Sequence, residues 1–451
     1  MLPLATILKA QGAAVGGSDR SFDQGRGGAK QAWLALNGFD LHPQDGSGVV
    51  SADQVLVASA AIEDSVPEVA RARELGAARM SRAELLSALF NAAPRGIAIG
   101  GTSGKSTVTG MVGWILAEVG RDPTIVNGAV MKNFVAPALP FASARVGAGE
   151  AFVAEVDESD GSIALYNPAI ATLLNVSLDH KSIEELRVLF GSFVGRAGMA
   201  VLNFDDEEVE WLAPHAPQHL SFGIEHRDAT FGIEPGTIVE STDGIAALLV
   251  DRREDVAHAL RLAVPGRHNL ANALAAVATA VAAGVEVHDA VLALSSFAGL
   301  ARRFDVIGTS PAGVTVIDDF GHNPEKCAAT LRTLKAHPGR VIAFFQPHGY
   351  GPLRQMGQDL ALTFARELGA EDRTIMCDPV YFGGTVDRSL GTEAVVGAIK
   401  AAGGSAEYIT DRQACGDRIV ELVQPGDRIV VMGARDDTLT DFARGLLARV
   451  A

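Results

Sequence analysis

The chain has 451 residues, 48% of them hydrophobic, and a formal net charge of −16. Its length suggests about two to four domains at ~150 residues each, and its acidity argues against nonspecific binding to nucleic acid or anionic membrane. No run of about 18 uncharged apolar residues provides a transmembrane helix, Met1 to Ala10 lacks the basic start and apolar core of a signal peptide, and Cys327, Cys377 and Cys415 give neither a disulfide framework nor a C-x-x-C metal pair. A cytoplasmic protein, monomer or dimer, is expected.

Short β-rich runs alternate with helical patterns along the whole chain, which predicts an α/β fold with mainly parallel sheets. A first block, 1–93, holds a strand at 54–58 and Ala-rich helices flanked by Glu and Arg. Pro94-Arg95-Gly96 opens a second block, 94–299. There the apolar run 96–99 leads into Gly100-Gly101-Thr102-Ser103-Gly104-Lys105-Ser106-Thr107. Apolar residues then recur at Val108, Met111, Val112, Ile115, Leu116 and Val119, which is helical spacing. A glycine-rich turn thus joins a strand to a helix N-terminus, where free N–H groups and the helix dipole favour an anion. Lys105, expected to be exposed in the loop, adds a mobile charge for terminal phosphates, and the Ser106 hydroxyl can hold Mg²⁺. The strict G-x-x-x-x-G-K-[ST] pattern is not met, because its first glycine would fall at Ile99. The loop is one residue tighter.

Strands are predicted at 151–156 and 170–174. Glu155-Val156-Asp157-Glu158-Ser159-Asp160 ends the first, at the strand edge where open parallel sheets bind ligands. A carboxylate there can complete the Mg²⁺ coordination begun at Ser106. Asn175-Val176-Ser177-Leu178-Asp179-His180 ends the next strand at the same edge, so Ser106, Glu155 and His180 are expected to converge. Alone, an acidic turn reads more plainly as solvated and a lone His as surface. It is the phosphate loop before them, in βαβ order, that makes the functional reading the better one. Further on, Asn269 reads as the N-cap of an Ala-rich helix at 269–283, with Asn272 in its first turn, where an amide can read a nucleobase edge. The third block, 300–451, opens with Arg302-Arg303-Phe304; the planar Arg fork suits phosphoryl oxygens. Its strands are predicted at 314–317, 341–345, 374–376 and 429–432. Asp318-Asp319-Phe320-Gly321-His322-Asn323-Pro324 reads as a loop with Asn323 capping a helix and Pro324 at its first position. The stretch from Phe345 through His348 and Gly349 to Arg354 is a polar Gly/Pro-rich loop after a strand, a plausible ligand contact.

Taken in order, G-T-x-G-K-[ST], E-x-D-E-S-D, N-x-x-x-D-H, P-G-R-H-N-x-x-N, R-R-F, D-D-x-G-H-x-P and F-Q-P-H resemble the Mur ligase family over nearly the whole chain. The resemblance implies three Rossmann-like or P-loop-like domains: a UDP-sugar domain (1–93), an ATP domain (94–299) and an amino-acid-side domain (300–451). It implies an ATP- and Mg²⁺-dependent ligase. The carboxylate of a UDP-muramoyl acid would attack the γ-phosphate, and the amine of an amino acid or short peptide would displace phosphate from the acyl phosphate. Gly101, Thr102, Ser103, Gly104, Lys105 and Thr107 would cradle the phosphates. Ser106 and Glu155 would hold one Mg²⁺, Glu155 and His180 a second. Asn272 would read adenine, Arg303 or its neighbour Arg302 would meet the γ-phosphate, and Asp319 would lie near the ribose. His348 and Arg354 would serve the amine side; Ser18, Asp19 and Ser59 would touch the UDP-sugar.

The chain departs from the family pattern in four places. The first strand and its glycine loop are expected to be missing, which would weaken UDP-muramate binding. Lys181-Ser182 follows Asp179-His180 where the family often has D-H-x-D. Gly349 stands where alanine-adding members start a loop with Arg, and Gly433-Ala434-Arg435-Asp436-Asp437 differs from their short glycine ending. The last two weaken the case for alanine as donor more than the case for ligase chemistry, and a larger amine would tolerate Gly349 better. A ligase for a preformed peptide, a ligase for another carboxylate, and a P-loop kinase or ATPase are the alternatives.

Overall fold

In the computed structural model, residues 1–59, 62–177, 181–379, 388, 390–434 and 436–450 are described. The chain forms two compact units: Met1–Ile238 with Ala247–Arg261 and Ala271–Phe297, and Val239–Ala246 with Leu262–Leu270 and Ala298–Ala451.

In the first unit, six parallel strands lie side by side in the order His219–Phe222, Met199–Asn203, Ile170–Leu173, Arg95–Gly100, Ala151–Glu155 and Thr124–Val126, and Ala144–Arg145 closes one edge antiparallel. Arg95–Gly100 is buried from Gly96 onward, as its apolar run requires of a strand covered on both faces. Register matters more for the site. Ile99 pairs with Glu155 on one side and Thr172 on the other, so three strand ends finish level. Helix Lys105–Glu118 leaves that edge and buries Val108, Met111, Val112, Ile115 and Leu116. Beyond His219–Phe222 the sheet continues through Phe231–Ile233, parallel to it, and turns antiparallel only where Phe231–Ile233 pairs with Gly244–Asp251, strands that the sequence did not announce.

Residues 1–93 carry two separate two-stranded parallel sheets, Gly16–Gly17 with Asp40–Leu41 and Val55–Ala58 with Ala78–Ser81. Helix Arg82–Ala92 starts with a capping box between Ser81 and Glu84. It anchors this region to the phosphate-loop sheet: the Phe90 ring meets Phe152 and Tyr166 edge-on, at 5.8 and 5.2 Å between centroids. Asn91 adds bonds to Leu165 O and Asn167 N.

The second unit is built on a six-stranded sheet in the order Asp305–Thr309, Thr315–Asp319, Arg428–Gly433, Val341–Gln346, Arg373–Met376, Ala406–Tyr408, parallel except for the first pair. Alternate residues of Val341–Gln346 enter different cores. Val341, Ala343 and Phe345 pack with Leu331, Leu360 and Val395, whereas Ile342 and Phe344 pack with Ile419 and Ala443. Helices therefore cover both faces, and the fold is α/β with mainly parallel sheets, as the sequence implied. Asn323 does cap helix Pro324–Lys335, accepting from Lys326 N at 2.9 Å. Asn269 does not cap: its helix begins at Arg267, and the buried Asn269 amide donates to Pro265 O at 2.7 Å.

Candidate functional site

The phosphate loop occupies the level strand edge. Gly104, at φ +86°, caps helix Lys105–Glu118. The loop is braced from the neighbouring strand end by Asn175, whose Oδ1 accepts from Thr102 Oγ1 (2.7 Å) and Ser103 N (2.8 Å) and whose Nδ2 donates to Ser103 O (3.1 Å). Ser177 Oγ adds a 2.7 Å bond to Thr102. These braces fix the loop backbone whose N–H groups would face an anion; Gly101 and Thr102 are buried, and Ser103 and Thr107 half-buried. Asn272 lies against the loop, with Oδ1 2.7 Å from where a Cβ on Gly104 would stand.

Lys105 corrects one expectation. It is the first helical residue, not a loop residue, and its side chain is only 18% exposed. A helical Cβ tilts toward the N-terminus, which carries the ammonium back over the loop. There Nζ donates to Gly101 O at 2.6 Å and to Glu158 Oε2 at 2.7 Å.

Ser106 and Glu155 do converge, with Ser106 Oγ donating to Glu155 Oε2 at 2.7 Å. The turn after Thr124–Val126 closes the same corner. Asn127 Nδ2 donates to Ser106 O at 2.9 Å, and a Cβ on Gly128 would stand 2.2 Å from Glu155 Oε1 and 3.4 Å from Ser106 Oγ. Gly128 thus keeps open a cradle lined by a hydroxyl and a carboxylate, hard oxygen donors that suit Mg²⁺. Nothing local in the sequence marks it. Among the described residues no group of three His, Cys, Asp or Glu could hold a metal unaided; with only two protein ligands, phosphate oxygens and water would complete the shell. His180 lies outside the described residues. Burial pushes the Asp157 carboxyl up, but the Ser159 N–H and the Lys105 charge outweigh it and hold the group below its ordinary value.

In the second unit the two arginines separate. Arg302, at φ +60°, turns inward: Nη2 donates to Gly433 O at 2.7 Å, Nε to Asp318 Oδ1 at 3.4 Å, and the guanidinium lies over Phe320. Asp319, expected near a ribose, is 7% exposed, and accepts from Phe304 N (2.8 Å), Gly321 N (2.8 Å) and Thr330 Oγ1 (3.0 Å). Both residues are engaged in internal bonds around the 302–304 turn. Arg303, also over Phe320, stays half-buried beside His322. Burial foremost, then the charge of Lys326, lowers the His322 pKa to about 4, so this ring is neutral at neutral pH. The His322 ring meets that of His348 at 5.1 Å. Arg303, His322, Lys326 and His348 thus share one corner, whereas Arg354 is exposed on helix Tyr350–Glu367. Gly349 caps that helix at φ +152° and ψ +160°, a conformation essentially confined to glycine. That backbone by itself calls for glycine at position 349. Asp436 accepts from Arg412 and Gln346, both at 2.8 Å; Arg435 lies outside the described residues.

Ser18 and Asp19 are engaged within residues 1–93. Ser18 Oγ donates to Glu68 Oε1 at 2.8 Å, and Asp19 caps helix Arg20–Asp23 through Ser21 N. Ser59 is exposed just past Val55–Ala58.

The arginine pair makes a test. Arg302→Ala should lower Tm, because it strips a buried charge partner from Asp318 and a donor from Gly433 O, on the order of 3 kcal/mol. Arg303→Ala should leave Tm within a degree or two and reduce ATP-dependent turnover. Thermal melts and phosphate-release rates on both variants check this; equal Tm losses would contradict the division of labour.

Three family models match in succession: the Mur ligase family catalytic domain at residues 1–93, the Mur ligase middle domain at 99–280 and the Mur ligase glutamate ligase domain at 302–435. The chain is 34% identical to UDP-N-acetylmuramate–L-alanine ligase of Synechococcus sp. (strain JA-3-3Ab), over 97% of this chain and 82% of that one. It is 34% identical to the enzyme of the same name from Sinorhizobium fredii, over 100% and 95%. The solved UDP-N-acetylmuramate-alanine ligase of Thermotoga maritima superposes with TM-score 0.81 at 23% identity, covering 100% of this chain and 96% of that one. A murein peptide ligase from Psychrobacter arcticus gives 0.70 at 23%, with the same coverage. These two structures establish a shared fold.

Proposed function

Because this chain belongs to the Mur ligase family, we propose that it is an ATP-dependent ligase forming an amide bond between the carboxylate of UDP-N-acetylmuramate and the amine of an amino acid. L-Alanine is the donor that the relatives' names carry. The observation that supports the phosphoryl half best is the single strand edge bearing the braced loop, Lys105, and the Ser106–Glu155 pair under Gly128. There the loop N–H groups and Lys105 would hold the terminal phosphates and align the γ-phosphate for attack by the carboxylate. Catalysis of this kind is mostly positioning and charge neutralisation. Mg²⁺, bound through Ser106 and Glu155, would neutralise phosphate oxygens; His180 is proposed as a further ligand. Asn272 is proposed to read the base. Arg303 is proposed to stabilise charge on the transferring phosphoryl group, and His348, with neutral His322, to serve the incoming amine. No helix among the described residues is long and apolar enough to cross a membrane, and a nucleotide-linked substrate together with ATP suits the cytoplasm.

A second reading, coupling of a preformed peptide, is favoured by Gly349, which leaves the loop after His348 without a cation at that position. Phosphate release with UDP-muramate, ATP and, in turn, L-alanine, glycine, L-serine or a stem tripeptide, with product masses, decides between them. L-Alanine preferred by tenfold or more in kcat/KM, about 1.4 kcal/mol at the transition state, establishes the first reading; a preference for the tripeptide establishes the second. ATP turnover without amide product would refute both.

A further inference from the structure

We propose that Glu158 is an internal competitor for the Lys105 ammonium, and that this competition makes the loop selective for metal-complexed polyphosphate over free anions. The inference rests on the reading of the loop as a nucleotide site.

Glu158 is 5% exposed, and its Oε2 holds Lys105 Nζ at 2.7 Å. With Gly101 O at 2.6 Å on the same ammonium, two of its three N–H donors are engaged by the protein. The segment that carries Glu158 cannot easily draw it away. Ser159 N donates to Asp157 Oδ1 (3.0 Å), Ser162 N to Asp160 Oδ1 (2.9 Å), Gly161 N to Glu158 O (3.1 Å) and Ile163 N to Asp157 O (2.9 Å). A phosphate oxygen that reaches Lys105 must therefore share or replace Glu158, and it leaves a buried carboxylate beside a polyanion. Glu155 stands on the same segment and adds to that repulsion. A divalent cation at Ser106 and Glu155 offsets both terms, because it arrives with the phosphates and screens them from the two carboxylates. Free ATP meets the full cost, and the Mg²⁺ complex meets little of it. The carboxylate lies 53 residues from the lysine it faces, and no phosphate-loop pattern includes it.

Calorimetric binding of a non-hydrolysable ATP analogue to the full chain, in EDTA and in Mg²⁺, tests the idea. Glu158→Gln should tighten binding in EDTA about tenfold, the scale of one lost charge-assisted bond of ~1.4 kcal/mol. In Mg²⁺ it should change binding less than about threefold, so that the benefit conferred by Mg²⁺ shrinks. Glu158→Asp, which keeps the charge, should retain the benefit. In a Lys105→Met background the effect of Glu158→Gln in EDTA should fall, since the competition runs through the ammonium. Equal changes in EDTA and in Mg²⁺, or an undiminished effect without the lysine, would overturn the proposal. One measurement needs no carboxylate variant. On the unaltered protein, an amine-acylating reagent read by mass spectrometry should find Lys105 protected by the Mg²⁺ complex at concentrations where free analogue gives no protection; equal protection by both would also overturn it. If the unaltered chain binds the analogue under neither condition, it is the nucleotide reading that fails, and this one with it.

Discussion

Gly128→Ala is expected to lower turnover at fixed Mg²⁺ by about two orders of magnitude, the scale of one lost charge-stabilising group at a reacting phosphoryl. The added Cβ would stand 2.2 Å from Glu155 Oε1, closer than any real contact, so the carboxylate must leave the corner it shares with Ser106. Glu155 Oε1 is the end of a flexible side chain, and Gly128 is not among the positive-φ glycines, so the backbone accepts alanine there. The fold should survive, with stability changed by no more than ~0.5 kcal/mol. The discriminating measurement is a Mg²⁺ titration of activity beside a thermal melt. A curve shifted to higher Mg²⁺ with unchanged Tm supports the cradle, and one that overlays the parent would remove Gly128 from the site.

Lys105→Ala should be at least as damaging, with a loss of ~3–4 kcal/mol at the transition state, about 10²–10³ in rate. Its effect on stability follows from the structure. Removing the lysine strands Glu158, 5% exposed, without its cation. An uncompensated buried group costs roughly 1–3 kcal/mol, toward the lower end here because the lysine side chain retains 18% exposure. Adding Glu158→Gln should restore most of the lost Tm and none of the turnover. A Lys105→Ala protein as stable as its parent would mean that the pair contributes nothing to folding; near-parental turnover would sink the phosphate-loop assignment.

Much of the architecture was legible because local signals agreed. The apolar run 96–99, the glycines and the periodic residues from Val108 to Leu116 each specify one part of strand, turn and helix; the strand Arg95–Gly100 lies where expected, and the helix starts at Lys105, earlier than the loop reading allowed. Asn323 and Pro324 were readable for the same reason: a cap acts on N–H groups within one turn. Asn269 misled because the residue types that cap a helix also bond backbone carbonyls from inside its first turn, and the helix starts two residues earlier, at Arg267. Asp305–Thr309 and Ala406–Tyr408 escaped notice as edge strands with weak alternation.

The sequence by itself determined which chemistry is present: a phosphate loop, a carboxylate at a strand end, paired arginines and the ordered motifs that carry the family. What only the tertiary structure decided is which side chain meets which. Arg302 and Arg303 are indistinguishable as residue types, but a left-handed backbone at Arg302 turns that one under Gly433 O. Glu155 and Glu158 are two carboxylates of one short segment. Sheet register gives the first to Ser106, 49 residues away, and the turn beyond the strand gives the second to Lys105, 53 residues away. Gly128 enters the site only because Thr124–Val126 lies beside Ala151–Glu155. Local sequence encodes dihedral preferences and periodicity. Partners this far apart are set by strand order, register and the direction of each Cβ, which exist only once the sheet has formed.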